Sequence, residues 1–191
     1  LHRDDKATVA QREVGADTES FEAGLVAALR EDPDVILLGE IRNRRTMETA
    51  LAAAETGHLV LATLHTSSAV TTVERVCDFF REEEKILARS VLASVLAGVI
   101  SQALVPCKDR SGRALACEVL LNTAPAAGLI REGKTHQLPN LMMTSRQDGM
   151  RLMNAHLEEL TVRGVVAYED AAAAAYDPAG LAQALRRRAS A

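Results

Sequence analysis

A carboxylate and an imidazole stand at matching places in this sequence. Glu40 follows the apolar run Val35-Ile36-Leu37-Leu38, and His65 closes the run His58-Leu59-Val60-Leu61-Ala62-Thr63-Leu64-His65. If both runs are strands of one parallel sheet, Glu40 and His65 emerge at its carboxyl edge, where open α/β sheets bind ligands. A carboxylate and an imidazole in that place can orient a water and approach a phosphate. A capping glutamate beside a hydrogen-bonded loop histidine is the plainer alternative, and spacing alone leaves both open.

A second stretch carries a phosphate-binding pattern. Gly128-Leu129-Ile130-Arg131-Glu132-Gly133-Lys134-Thr135 fits G-x-x-x-x-G-K-[ST]. A phosphate cradle, however, needs a strand leading into its first Gly and a helix starting at its Lys. Here Asn122 to Ala127 separates the nearest strand from Gly128, Leu129 to Glu132 reads as an amphipathic helical turn, and Pro139 cuts short a helix after Thr135. The stretch is expected to be a helix whose C-cap is Gly133.

The elements that must position these residues follow from periodicity. Thr18 is placed as the cap of a first helix, with Phe21, Leu25 and Leu29 on one face. The uninterrupted run Val35 to Leu38 predicts a strand buried on both faces. Asn43 caps a helix through Met47, Leu51 and Ala54 that stops at Gly57, and the second strand follows. That is a βαβ unit. Ser67 or Ser68 caps a third helix. The spacing of Leu87, Val91, Val95 and Val99 predicts one long helix over about 83–104, ended by Pro106. Ala116 to Leu121 reads as a strand, and the chain from about Thr123 onward as short helices. The change of character falls near residues 106 to 123, so 1–105 and 106–191 are taken as an α/β portion and a mostly helical portion.

Composition bounds the function. The chain has 191 residues, 48% hydrophobic, 25% charged and only 3% aromatic, with no Trp. These are globular values for about one domain. A formal net charge of −4 predicts no broad basic face for nucleic acid. Three widely spaced cysteines, Cys77, Cys107 and Cys117, point to reduced thiols in a cytoplasmic protein and offer no C-x-x-C zinc site. Residue 1 is Leu, and the chain is expected to be part of something longer.

Two segments carry a family resemblance. Asp32-Pro33-Asp34-Val35-Ile36-Leu37-Leu38-Gly39-Glu40-Ile41-Arg42 resembles the atypical Walker B of secretion ATPases, and Glu55 to Thr66 resembles their His box. Leu129 to Gln137 is similar to the C-terminal region of PilT-like type IV pilus retraction ATPases. The resemblance implies an α/β fold: an incomplete RecA-like P-loop NTPase core followed by a mostly helical C-terminal region. It implies ATP and Mg²⁺ as cofactors. Glu40 would polarise the attacking water and help order the metal, and His65 would approach the γ-phosphate. His58 and Arg42 would lie about the nucleotide. For His58 a satisfied histidine at a strand start stands equally open. The true Walker A is expected upstream of Leu1, so this chain alone is expected to bind ATP poorly and to hydrolyse it negligibly.

Other expectations follow from the same resemblance. The parent would be a homo-hexamer at the cytoplasmic face of the inner membrane, engaging a pilus platform protein and driving retraction and twitching motility. No zinc module is expected, since the four cysteines of the extension and secretion branches are missing. One departure stands out: the retraction motif A-I-R-N-L-I-R-E has its first Arg and Asn replaced here by Ala127 and Gly128. The alternative reading is a non-catalytic, truncated or degenerate subunit acting in assembly or regulation.

Overall fold

A computed structural model describes residues 3–189. The chain divides into two compact units, one ending at His65 and the other beginning at Thr66.

The first unit holds helix α1 (Phe21–Ala28), strand β1 (Val35–Leu38), helix α2 (Arg44–Glu55) and strand β2 (Leu59–Ala62). The cap of α1 is Ser20 rather than Thr18: the Ser20 hydroxyl accepts the Ala23 N–H at 3.0 Å. Thr18 is engaged elsewhere, bridging Val14 and donating its hydroxyl to the Ser20 carbonyl. Asn43 caps α2 as expected, accepting the Thr46 N–H at 2.9 Å. The buried positions of α2, Thr46, Met47, Ala50 and Ala53, recur at helical spacing. The helix ends where the Thr56 hydroxyl turns back to the Ala52 and Ala53 carbonyls and Gly57 adopts φ +101°, which only glycine takes freely.

β1 and β2 pair in parallel, Val35 against Leu59 through Leu38 against Ala62. Burial on both faces is not what the structure shows. Ile36 and Leu38 are buried, whereas Val35, Leu37, Leu59 and Leu61 lie between 48% and 58% exposed. The period of two sends alternate side chains to opposite faces, and one of these faces is uncovered among the described residues.

The second unit begins with α3 (Ala69–Asp78), opened by a capping box in which Ser68 and Thr71 bond each other's backbone N–H groups. A 3₁₀ turn at Glu82–Glu84 leads into α4 (Lys85–Val95). The long helix expected to 104 stops here. Leu96 turns to extended backbone, and Gly98–Pro106 forms strand β3, antiparallel to β4 (Arg113–Leu121). The apolar spacing runs on through Val99, but β-branched Val99, Ile100 and Val105 suit a strand, and nine paired positions outweigh a helical pattern. Gly98 is required by the pairing, since a Cβ there would meet the Leu120 carbonyl oxygen at 2.7 Å. The hairpin runs through the expected 105/106 division.

The remainder is helical as predicted: α5 (Ala124–Arg131), α6 (Leu138–Thr144), α7 (Met153–Val162), α8 (Tyr168–Ala174) and α9 (Pro178–Ala189). One core joins hairpin and helices. Val105 and Ala116 meet Met153, Leu157 and Leu160 of α7, Val166, Ala171 of α8 and Leu181 of α9.

A charged residue lies beside that core. Glu118 of β4 is 3% exposed, and its two oxygens accept different helix N–H groups: Ala69 of α3 at 2.7 Å and Met153 of α7 at 3.2 Å. One carboxylate thus satisfies the first turns of two helices, where free donors and the helix dipole favour negative charge.

Candidate functional site

The parallel pair places its carboxyl ends side by side, and the chain past them keeps the register. The Ile41 N–H donates to the Thr63 carbonyl at 3.1 Å, and the Thr63 hydroxyl donates to the Gly39 carbonyl. These two bonds tie the segments bearing Glu40 and His65 together. His65 Nε2 lies 3.2 Å from Glu40 Oε2, and Arg42 donates to Glu40 Oε1. Glu40, Arg42 and His65 are therefore brought together, as the sequence predicts for Glu40 and His65.

The Glu40 side chain is 22% exposed, while Arg42 and His65 are far more open. The Arg42 guanidinium, more than the His65 ring, holds the Glu40 carboxyl below the usual carboxylate range, against a smaller opposing effect of desolvation. The same pairing raises Arg42. Glu40 is thus an anion at neutral pH with one hydrogen-bond donor on each oxygen. An exposed ion pair of this kind is weak, so Arg42 can release the carboxylate in exchange for another anion.

His58 stands apart from this cluster. Its Nδ1 lies 3.0 Å from the Ala53 carbonyl and 3.1 Å from the Thr56 hydroxyl, and its backbone N–H donates to the same carbonyl. A carbonyl accepts only, so Nδ1 carries the proton and Nε2 is left as the free acceptor. The ring closes the end of α2, the structural role held open for it. Thr63, which sequence reasoning did not single out, is the residue that locks the two site segments; a hydroxyl within a strand pattern gives no local signal of that.

No group of three or more His, Cys, Asp or Glu suited to a metal occurs among the described residues. Glu40 can serve as the single carboxylate of a Mg²⁺ ion, a cation that takes one or two protein carboxylates and completes its shell with phosphates and water. An anionic, partly exposed carboxylate fits that role.

The G-x-x-x-x-G-K-[ST] stretch is a helix end, as expected. Gly128 to Arg131 lie within α5. Gly133 adopts φ +70°, its N–H donates to the Ile130 carbonyl at 3.0 Å, and the Lys134 N–H donates to the Leu129 carbonyl at 2.8 Å. This pair of bonds is a Schellman cap, and it turns the amides inward to the helix rather than outward to a phosphate. Lys134 pairs with Glu132 at 2.7 Å. No helix among the described residues is long and apolar enough to cross a membrane.

Comparison with known proteins extends this description. Residues 5–172 match the family model described as Type II/IV secretion system protein. Over 173 residues, 91% of this chain and 45% of the relative, the sequence is 46% identical to the type IV pilus ATPase PilU of Pseudomonas aeruginosa. It is 45% identical over 171 residues to the type IV pilus retraction ATPase PilT of the same organism, covering 90% of this chain and 49% of that protein. A crystal structure of the pilus retraction motor PilT with bound ADP superposes with a TM-score of 0.88 at 45% identity, covering 96% of this chain and 51% of that one. The chain thus spans about half the length of the curated relatives it matches.

Proposed function

The chain belongs to the Type II/IV secretion system protein family, and from that membership we propose that it is part of an ATP-driven motor coupling ATP hydrolysis to type IV pilus retraction and twitching motility. The observation that carries the reading is the pairing of anionic Glu40 with His65 at the carboxyl ends of two parallel strands, 3.2 Å apart. Phosphoryl transfer to water asks for positioning and charge stabilisation more than for covalent chemistry, and this arrangement offers both.

In this reading Glu40 orients the attacking water and accepts its proton as the bond from the water oxygen to the γ-phosphorus forms and the bond from that phosphorus to the bridging oxygen breaks, its electron pair leaving with ADP. His65 Nε2 turns from Glu40 to the γ-phosphate and donates to it. Arg42, released from Glu40, lies against the phosphates. His58 acts on nucleotide only through its free Nε2, its other nitrogen being committed to α2. Mg²⁺, held by Glu40, would neutralise phosphate charge. The ADP in the PilT crystal structure supports a nucleotide as ligand. The homo-hexameric ring, the inner-membrane platform partner and a place at the cytoplasmic face belong to the same proposal.

One observation favours a second reading. The one P-loop pattern in the sequence is a capped helix end, so this stretch cannot grip phosphates. In that reading the chain is a non-catalytic subunit acting in assembly or regulation. Steady-state hydrolysis distinguishes the two. In a motor assembled with this chain, Glu40→Gln is expected to lower kcat by about 100-fold or more, the scale of losing a principal group in water activation. The 191-residue chain alone is expected to turn over negligibly. Unchanged kcat in the Glu40→Gln motor would sink the catalytic reading. Turnover by the chain alone, sensitive to Glu40→Gln, would sink the need for a phosphate grip from elsewhere.

A further inference from the structure

Glu40 is held in two ways, through its side chain and through its main chain. Its carboxylate accepts from Arg42 at one oxygen and faces His65 at the other. In the proposed mechanism both partners leave for the phosphates, so neither fixes the carboxylate while water attacks. The main-chain bonds do not compete with that exchange, and both come from one residue of the same unit. The Thr63 hydroxyl donates to the Gly39 carbonyl, and the Thr63 carbonyl accepts the Ile41 N–H at 3.1 Å. The first bond grips the peptide before Glu40, and the second grips the peptide after it. The planes of these two peptides set φ and ψ of Glu40, its only soft backbone angles.

We propose that Thr63 is the positioning residue for Glu40, its hydroxyl keeping the carboxylate aimed once Arg42 and His65 have turned to phosphate. Gly39 makes such a restraint necessary. A Cβ built there meets nothing within 4 Å, and its φ is not among the positive ones, so neither crowding nor conformation demands glycine. A residue without a side chain just past the end of β1 leaves the following peptide free to turn, and the Thr63 hydroxyl removes that freedom. Aim matters for a base that must stay within hydrogen-bond reach of its water. A misplacement of about 1 Å can cost on the order of 100-fold in rate. The hydroxyl bond lies in solvent, so its loss would loosen the aim of Glu40 without unfolding the strand pair. Serine can make the same bond, whereas valine, of the same shape as threonine, cannot.

This inference rests on the functional reading above for its significance, and two measurements keep the two apart. The first uses the full 191-residue chain without nucleotide. Thr63→Val is expected to speed amide exchange at Ile41 by about 10-fold, and Thr63→Ser to leave it unchanged. The second is steady-state hydrolysis by a motor assembled with this chain. Thr63→Val is expected to lower kcat by about 10-fold with KM held within about twofold, and Thr63→Ser to restore kcat. Unchanged exchange at Ile41 in Thr63→Val, or Thr63→Ser as impaired as Thr63→Val, would overturn the positioning role. A raised KM with unchanged kcat would assign Thr63 to nucleotide binding and overturn it as well. If Glu40→Gln lowers kcat and Thr63→Val does not, the positioning role falls and the ATPase reading stands. If Glu40→Gln leaves kcat unchanged, the ATPase reading falls, and faster Ile41 exchange in Thr63→Val still supports the hold on Glu40.

Discussion

Removing the Glu118 carboxylate probes how one acid can end two helices. In Glu118→Ala the N–H groups of Ala69 and Met153 lose their acceptor in a site that is 3% exposed. A hydrogen bond to a charged group contributes about 1.5–3 kcal/mol, so two give about 3–6 kcal/mol. Relief from burying a charge offsets part of that, and a net loss of about 2–4 kcal/mol is expected in the second unit. For a chain of this length each kcal/mol moves the midpoint by about 2–4 °C, so Tm should fall by about 4–16 °C. Glu118→Gln is the sharper variant. Its volume is unchanged, but its one oxygen serves only one N–H and its amide group faces the other donor. Calorimetry together with urea titration of the far-UV signal reads both variants. If Glu118→Gln unfolds within about 0.5 kcal/mol of the unmodified chain, the carboxylate does not bridge two donors and the reasoning fails.

Three further outcomes are expected. Asn43→Ala should cost about 1 kcal/mol of stability by leaving the Thr46 N–H uncapped, read by urea titration. Lys134→Ala should leave the nucleotide affinity of the chain unchanged in a fluorescent-analogue titration, because Lys134 follows a capped helix and faces Glu132; lost affinity would restore the P-loop. Burial first, and then Arg151, lowers His156 below its ordinary value of 6.5, and its Nδ1 accepts the Cys117 N–H at 2.9 Å. The folded state therefore holds fewer protons on this ring than the unfolded state. Its contribution is present above about pH 6.5 and is lost as pH falls from there through the lower folded value. Urea midpoints should drop over that window, and His156→Gln should remove the drop.

Much of this was legible because it is local. Asn43, Ser68 and Gly57 announce helix ends through short-range chemistry, and the structure uses each of them so. The edge shared by Glu40 and His65 was legible because two apolar runs joined by one helix leave few arrangements. The α4–β3 junction was misread because Leu87, Val91, Val95 and Val99 keep helical spacing past the point where pairing with β4 takes over. Glu118 was missed altogether. An acid in Ala116-Cys117-Glu118-Val119 looks like a surface position, and its burial depends on two helix starts far away in sequence. Thr63 likewise gains its meaning only from the Gly39 carbonyl on the neighbouring segment.

The two bonds of Glu118 also bear on the time course of folding. They close separations of 49 and 35 residues, whereas the β3–β4 hairpin closes between Pro106 and Arg113. Long closures cost more chain entropy, so the hairpin and the helices are expected to form before the carboxylate finds both amides. Interactions made after the barrier scarcely alter how fast the native state is reached; they lengthen how long it lasts. Glu118 would then act mainly as a brake on unfolding, prolonging the life of the folded second unit without hastening its formation.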